Sequence, residues 1–554
     1  MLVAAANAWA VDSPLTVNVL VLNFDPFVPS EGNQRVHSVL GFDDPHLLAP
    51  QLVQAITNAS GGVVNYNIAQ WQDLDAIPVK TDGFSYAPDE YVNLWRSGGP
   101  FHEPDLADYP ALLNAYVSPQ AVNQREIDEI WLFGAPYFGF FESAMAGPGA
   151  FYINGGVYPE FPTTRPFAIM GFNYERQLDA MMHSLGHRAE SSISRFFGGW
   201  DITNPATLWD KYTANVGQTA SGPYGVGSIH YPANASADYE YGSSSPVPST
   251  AADWLNYPDL TGDVQDISAA DWGATELGYM QYWYSHLPRA EGVHDGEHKM
   301  NNWWKYIYDF ESYDVDGLPP GLPRRGANGH YYRFVDAPGV TWQQALDAAA
   351  QETFDGYAGH LVTITSAAEE AFLVDLIRGR EIWLAGSDAQ QEGTWRWMAG
   401  PEVGEVFYAD GAPIGYSGFD QGEPGGDAGE NHLHMIFGQF WNDAHENYPN
   451  NLGYVVEFSV AEGDYDHDGD VDGADFLLWQ RTQGSTWDLD ADGNGDGTVD
   501  EADLVIWRNN FGMSALAGAL PNRVPEPATL VLAALGVMAL GHLARLGGGA
   551  NQFW

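Results

Sequence analysis

The chain contains no cysteine among its 554 residues. That excludes disulfide frameworks, zinc–thiolate centres and cysteine nucleophiles. Basic residues are scarce as well: Lys+Arg number 22 against Asp+Glu 73, a formal net charge of −51. A surface of that sign repels phosphate backbones and anionic lipid, so nucleic acid is ruled out as a partner. Divalent cations, neutral glycans or a salty medium suit it, and plain solubility is the alternative reading. Long apolar runs are missing too. One short stretch, Leu530–Leu540, is too brief for a comfortable permanent membrane span of about twenty residues.

What is present points to a folded, multidomain chain. Hydrophobic residues make up 45% and aromatics 14%, well above the disordered range. The length exceeds what one hydrophobic core supports. Residues 11–320 read as a mixed α/β unit, with buried strands at Leu15–Asn23 and Glu129–Phe133 and a helix over Arg176–Phe197. Gly317–Asn328 is dense in Pro and Gly and reads as a linker. A second unit occupies 329–460, an Asp/Gly-dense repeat 463–513, and a sorting tail 524–546. At the other end, Ala8-Trp9-Ala10 before Val11 resembles the close of a secretory signal, making 1–10 a signal remnant.

The α/β unit carries one constellation with chemistry. His183, His187 and Glu190 stand at i, i+4 and i+7 of the expected helix, which puts two imidazoles and a carboxylate on one face. That is a three-ligand set for Zn²⁺ or another divalent metal with a position left open for water. His230, His286 and His294 are further candidates. Residue 184 is Ser, so the H-E-x-x-H general base is missing, and Glu142 and Glu175 are the candidate catalytic bases. The alternative is a set of histidines hydrogen-bonded in a polar core. Gly186 weakens the helix between them. The block Ile130–Ser143, then His183–Glu190, then Asn301–Trp304 resembles a family of uncharacterised secreted proteins, which implies no reaction.

Two acidic loops follow the second unit. Asp464, Asp466, Asp468, Asp470, Asp472 and Asp475 form the first, with Gly469 at its sixth position. Asp492, Asn494, Asp496, Thr498, Asp500 and Asp503 form the second, with Gly497 there. The spacing supplies the oxygens that Ca²⁺ needs and a glycine for the sharp turn. From 464 to 503 there are thirteen acidic residues and one basic residue, Arg481. A cation and folding are therefore coupled; the alternative is a solvated acidic linker. Each loop leads into one short helix, Phe476–Gln483 and Leu504–Asn510, with nothing helical before it. The pair resembles a type I dockerin, a paired loop–helix calcium module, which implies a cohesin-like partner. Here the loop ends carry Gly473-Ala474 and Glu501-Ala502 where that family docks through Ser/Thr, so calcium binding carries over and the partner does not.

Residues His330–Phe458 resemble a C-type lectin domain, an α+β fold. The resemblance rests on Tyr332-Arg333-Phe334, a helix over Thr341–Gln351, the strand from His360, a helix over Ala367–Ile377, Trp383 to Asp388, Glu392 to Trp397, and a closing strand Gly453–Phe458. It implies that Glu423, Glu430, Asn442 and Asp443 hold Ca²⁺ and share it with two sugar hydroxyls. Gly425 stands where the family has an amide or carboxylate ligand, with Asp427 as a substitute. The family's disulfides are absent, and His432 lies near one expected cysteine position. A lectin fold used as a protein-binding scaffold is the alternative, and the tryptophans read as core. Finally, Val524-Pro525-Glu526-Pro527, the apolar run and Arg545 resemble the PEP-CTERM sorting signal. That implies a C-terminal apolar helix, an exosortase-type partner and export to the surface, outer membrane or matrix of a Gram-negative-type bacterium. The expected function is an exported surface protein binding calcium and glycan or exopolysaccharide. The alternatives are an exported metal-dependent hydrolase brought to polysaccharide by the lectin-like module, and a purely structural matrix protein.

Overall fold

The computed structural model describes residues 14–513 apart from 295–296, 327, 426–428, 438, 449–452, 487 and 495–496. The signal remnant and the sorting tail lie outside the described residues. The chain divides into two compact units, one ending at Arg325 and including Gly473–Asn509, the other running Gly326–Asp472 and resuming at Asn510. The division thus passes through the acidic repeat.

The first unit is built on a six-stranded mixed sheet in the spatial order Val64–Leu74, Leu15–Phe24, Glu129–Gly134, Phe167–Asn173, Ser143–Ala146, Val157–Tyr158. Its first four strands are parallel, and Ser143–Ala146 runs antiparallel to Phe167–Asn173. Leu15–Phe24 and Glu129–Gly134 are buried over most or all of their length, as strands inside a parallel sheet are. Helix Leu178–Phe196 leaves the strand Phe167–Asn173 and buries Met181, Met182, Leu185, Ala189, Ile193 and Phe196, a helical stripe facing the core. The helix is pinned to the sheet by a buried ion pair, Arg188 Nη1 to Glu129 Oε2 at 2.5 Å, with Trp131 Nε1 donating to the other carboxylate oxygen at 2.8 Å. Removing one partner of such a pair costs about 3–5 kcal/mol.

The Pro/Gly-dense segment after Gly317 is not all linker. Leu318 is 1% exposed and belongs to the first core, and Tyr306 donates its hydroxyl to the Gly317 carbonyl at 2.8 Å. Turn chemistry was legible there, but the apolar side chains between the turns pack inward.

In the second unit the entering strand Tyr331–Asp336 pairs antiparallel with the closing strand Gly453–Phe458, Tyr331 opposite Phe458. Helices Trp342–Ala349 and Ala367–Ile377 are capped by Thr341 and Ser366. Trp383, Trp395, Trp397 and Trp441 are all buried in this core. His432 stacks on Trp342 with ring centroids 4.4 Å apart, so ring packing stands near an expected cysteine position. The repeat's helices run Gly473–Thr482 and Glu501–Asn510, each starting about one turn before the expected position. The reason is that the last loop positions already adopt helical backbone.

Candidate functional site

The second and third turns of helix Leu178–Phe196 carry His183 and His187, four residues apart on one face. The loop containing Ser228–Tyr231 brings His230 to them. The three Nε2 atoms form a near-equilateral triangle: His187 to His183 3.0 Å, His187 to His230 3.0 Å, His230 to His183 3.2 Å. Each ring turns its other nitrogen to a carboxylate. His187 Nδ1 lies 3.2 Å from Glu190 Oε2, His183 Nδ1 3.1 Å from Glu276 Oε1, and His230 Nδ1 3.0 Å from Asp238 Oδ1.

Glu190 is therefore not at the centre of the triangle. One carboxylate oxygen faces His187, and the other accepts the Ile229 N–H at 2.7 Å. It ties the helix to the loop. Of the candidate bases, Glu142 stands closer: its Oε2 is 3.9 Å from His187 Nε2 and accepts from Asn154 Nδ2 at 2.7 Å. Glu175 is exposed and is not among the carboxylates that face the three rings. His286 and His294 lie elsewhere in the unit, His286 bonded to the Tyr282 carbonyl at 2.7 Å and His294 stacked on Tyr257.

Burial alone would lower the pKa of His187, but the bond and charge of Glu190, with the charges of Glu142 and Asp238, outweigh it and raise the pKa. His230 moves the other way, lowered by burial and by the neighbouring His187 and His183. Beside the centre lies a cavity of about 590 Å³ whose lining includes His187, Glu190, Asn154, Tyr152, Arg195 and Trp200. His230 and its partner Asp238 belong to a loop with no periodicity, so no sequence signal singled them out from the other histidines. Glu276 was missed because it opens a different helix, Glu276–His286.

In the second unit, Glu423 and Asp443 converge beside Gly425. A Cβ on Gly425 would stand 3.3 Å from Glu423 Oε2 and 3.5 Å from Asp443 Oδ2. Burial, then a hydrogen bond and charge from Asp443, then the charge of Glu430 hold the Glu423 carboxyl above its usual range. Asp443 is 3% exposed. Asn442, beside it on strand Phe440–Ala444, spends its amide nitrogen on His434 Nε2 at 2.9 Å. Asp427 lies outside the described residues.

The two acidic loops share one internal bond. Asp464 Oδ2 accepts the Gly469 N–H at 3.0 Å, and Asp492 Oδ2 accepts the Gly497 N–H at 2.8 Å. Both glycines have positive φ, 93° and 86°. Ligand oxygens of Asp464, Asp466 and Asp468 lie within 4.8 Å of one another. In the second loop Asp503 accepts from Asn494 N at 3.1 Å and Asp500 N at 2.7 Å. Asp475 and Asp503 are fully buried. Asp496 lies outside the described residues.

A family model of the PEP-CTERM protein-sorting motif matches residues 523–545. That motif marks an exported protein processed at the cell envelope. Among the described residues no helix is long and apolar enough to cross a membrane. The chain is similar to Halomucin of Haloquadratum walsbyi, 35% identical over 136 residues, covering 24% of this chain and 1% of that protein. It is similar to the mouse low affinity immunoglobulin epsilon Fc receptor, 36% identical over 87 residues, covering 16% of this chain and 23% of that protein. A solved structure of the cow C-type carbohydrate-recognition domain of CD23 is 26% identical, with 26% of this chain and 97% of that chain covered and a TM-score of 0.20. The chain therefore spans less than a quarter of those two curated relatives. Part of it is thus similar to C-type lectin domains, and residues 523–545 match the PEP-CTERM sorting motif.

Proposed function

We propose that this is an exported surface protein whose lectin-like domain binds carbohydrate through Ca²⁺ held by Glu423, Glu430, Asn442 and Asp443. The observation that carries the reading is the meeting of Glu423 and Asp443. Burial first, and then the Asp443 carboxylate in contact with it, keep Glu423 protonated beyond its usual range unless a cation takes the proton's place. The donors are all hard oxygens, the set that suits Ca²⁺. Bound there, the ion would offer open positions to vicinal sugar hydroxyls. The name of one similar protein agrees: nattectin of Thalassophryne nattereri, 29% identical over 104 residues, is a galactose-specific lectin.

The acidic loops extend the same dependence. Asp464 to Asp475 and Asp492 to Asp503 would each take one Ca²⁺ and hold the repeat folded, as in a dockerin. The sorting motif implies an exosortase-type processing enzyme and delivery to the cell surface or its matrix, where glycan or exopolysaccharide is the ligand at hand. The test is retention of the full chain on a polysaccharide array with calcium and with chelator, alongside Asp443→Ala. Retention lost in both cases supports the reading. Calcium-independent retention, or none on any glycan, returns the domain to a protein-binding scaffold.

A further inference from the structure

The triangle of histidines is not used by the lectin-like site, and the direction in which each ring turns its two nitrogens decides what it is. A neutral imidazole carries one N–H and one lone pair. Each ring here points Nδ1 at a carboxylate, which fixes the hydrogen on Nδ1 and leaves Nε2 bare. Tyr241 agrees with that tautomer at His183: its hydroxyl donates to the Ile229 carbonyl at 3.1 Å, so its oxygen is free to accept from Nδ1 at 3.4 Å. Three lone pairs then converge at 3.0 to 3.2 Å with no hydrogen among them. A polar core of satisfied histidines would alternate donors and acceptors. This one presents acceptors only.

We propose that His183, His187 and His230 bind one divalent first-row transition ion of the zinc type, with Glu190, Glu276 and Asp238 as positioning residues behind them. The dimensions agree. An ion about 2.0–2.1 Å from each Nε2 would sit roughly 1 Å off the plane of the three nitrogens, on the side left for a fourth ligand. Three imidazoles select zinc, copper, nickel or iron over Ca²⁺ and Mg²⁺. Glu142 Oε2, steadied by Asn154, stands 3.9 Å from His187 Nε2. A water on the ion would pass one proton to the Glu142 carboxylate, leaving a bound hydroxide and a neutral carboxylic acid. That is the nucleophile of metal-assisted hydrolysis, with the adjoining cavity as the place for its substrate.

Cobalt(II) tests this without any knowledge of the substrate, since it absorbs strongly in visible light only at low coordination number and the chain has no thiol to compete. The full chain, stripped and then given Co²⁺ in the presence of excess Ca²⁺, should take up one equivalent with an intense visible band, and Zn²⁺ should displace it. His230→Ala, in a loop, and His187→Ala, in the helix, should each lose the band. Glu190→Gln should keep it with affinity lowered by about 10- to 100-fold. In Glu142→Gln the band should persist. No band in the wild-type chain, or a band that survives His230→Ala, overturns the metal centre. Loss of the ion in Glu142→Gln overturns the assignment of Glu142 as the proton acceptor and makes it a ligand. None of these outcomes depends on glycan retention, so the centre and the lectin reading stand or fall separately.

Discussion

Gly186 is the gap in its helix that Ile229 fills. A Cβ on residue 186 would meet Ile229 Cδ1 at 2.4 Å and Cγ1 at 2.6 Å. His230 follows Ile229 directly, so the glycine between the two helical histidines is what lets the third approach.

The corresponding substitution should separate helix stability from site geometry. Gly186→Ala gains about 1 kcal/mol in helix propensity, yet it must push Ile229 and the loop outward. We expect unchanged helix content by circular dichroism and Co²⁺ affinity lowered by about tenfold or more, in the range of lost positioning partners. Unchanged affinity would mean that the loop yields without moving His230.

Gly425 offers a gain-of-function test in the second unit. No positive φ restricts it, and its Cβ position faces both Glu423 and Asp443 at contact distance. Gly425→Asn adds an amide oxygen beside two carboxylates, and Ca²⁺ affinity by calorimetry should rise by about tenfold, the equivalent of ~1.4 kcal/mol. A fall would show that the loop has no room for a further ligand.

Gly497 closes its loop on Asp492 with φ at 86°. Gly497→Ala forces a side chain into the left-handed region at a cost of about 1–2 kcal/mol. The second loop should lose about 5- to 30-fold in Ca²⁺ affinity while the first keeps its own, measured by calorimetry on the full chain. Equal weakening of both loops would mean that they fold as one cooperative element.

His294 should give the first unit an acid sensitivity. Burial first, then the charge of Lys211, pushes its pKa from 6.5 down to about 4, and its Nδ1 accepts the Glu297 N–H at 3.2 Å. A histidine whose folded pKa is depressed gives its full contribution above the unfolded value and loses it as pH falls through the folded one. Stability should therefore drop between pH 6.5 and 4, by roughly 3 kcal/mol at most from this residue. His294→Gln should flatten that part of the thermal-midpoint profile. His298, likewise held near 4 by burial, keeps a remainder of the slope.

Periodic features were legible in the sequence. The i, i+4 pair His183 and His187 shares one helical face, and helix Ala367–Ile377 and strand Gly453–Phe458 have the bounds that the resemblance to a C-type lectin domain implied. What depends on chain closure was not. His230 lies 43 residues beyond His187, in a loop whose path is set by Gly186 and Glu190 and by no local preference. The i+7 spacing of Glu190 was read correctly as the same face, but spacing does not say whether a carboxylate meets an ion or the imidazole beside it. The linker reading at Gly317 failed in the same way, because Pro and Gly announce turns and are silent about Leu318 packing between them.

The pairing of Tyr331 with Phe458 has a consequence for inheritance. The strand that enters the lectin-like segment and the strand that leaves it are neighbours in one ladder, so both ends emerge side by side. A segment with adjacent ends can be cut from one gene and spliced into another at a surface turn without stretching its host. Such a cassette can travel between proteins as a unit, and matches of 136 residues covering 1% of one relative and of 87 residues covering 23% of another are the kind of trace it would leave.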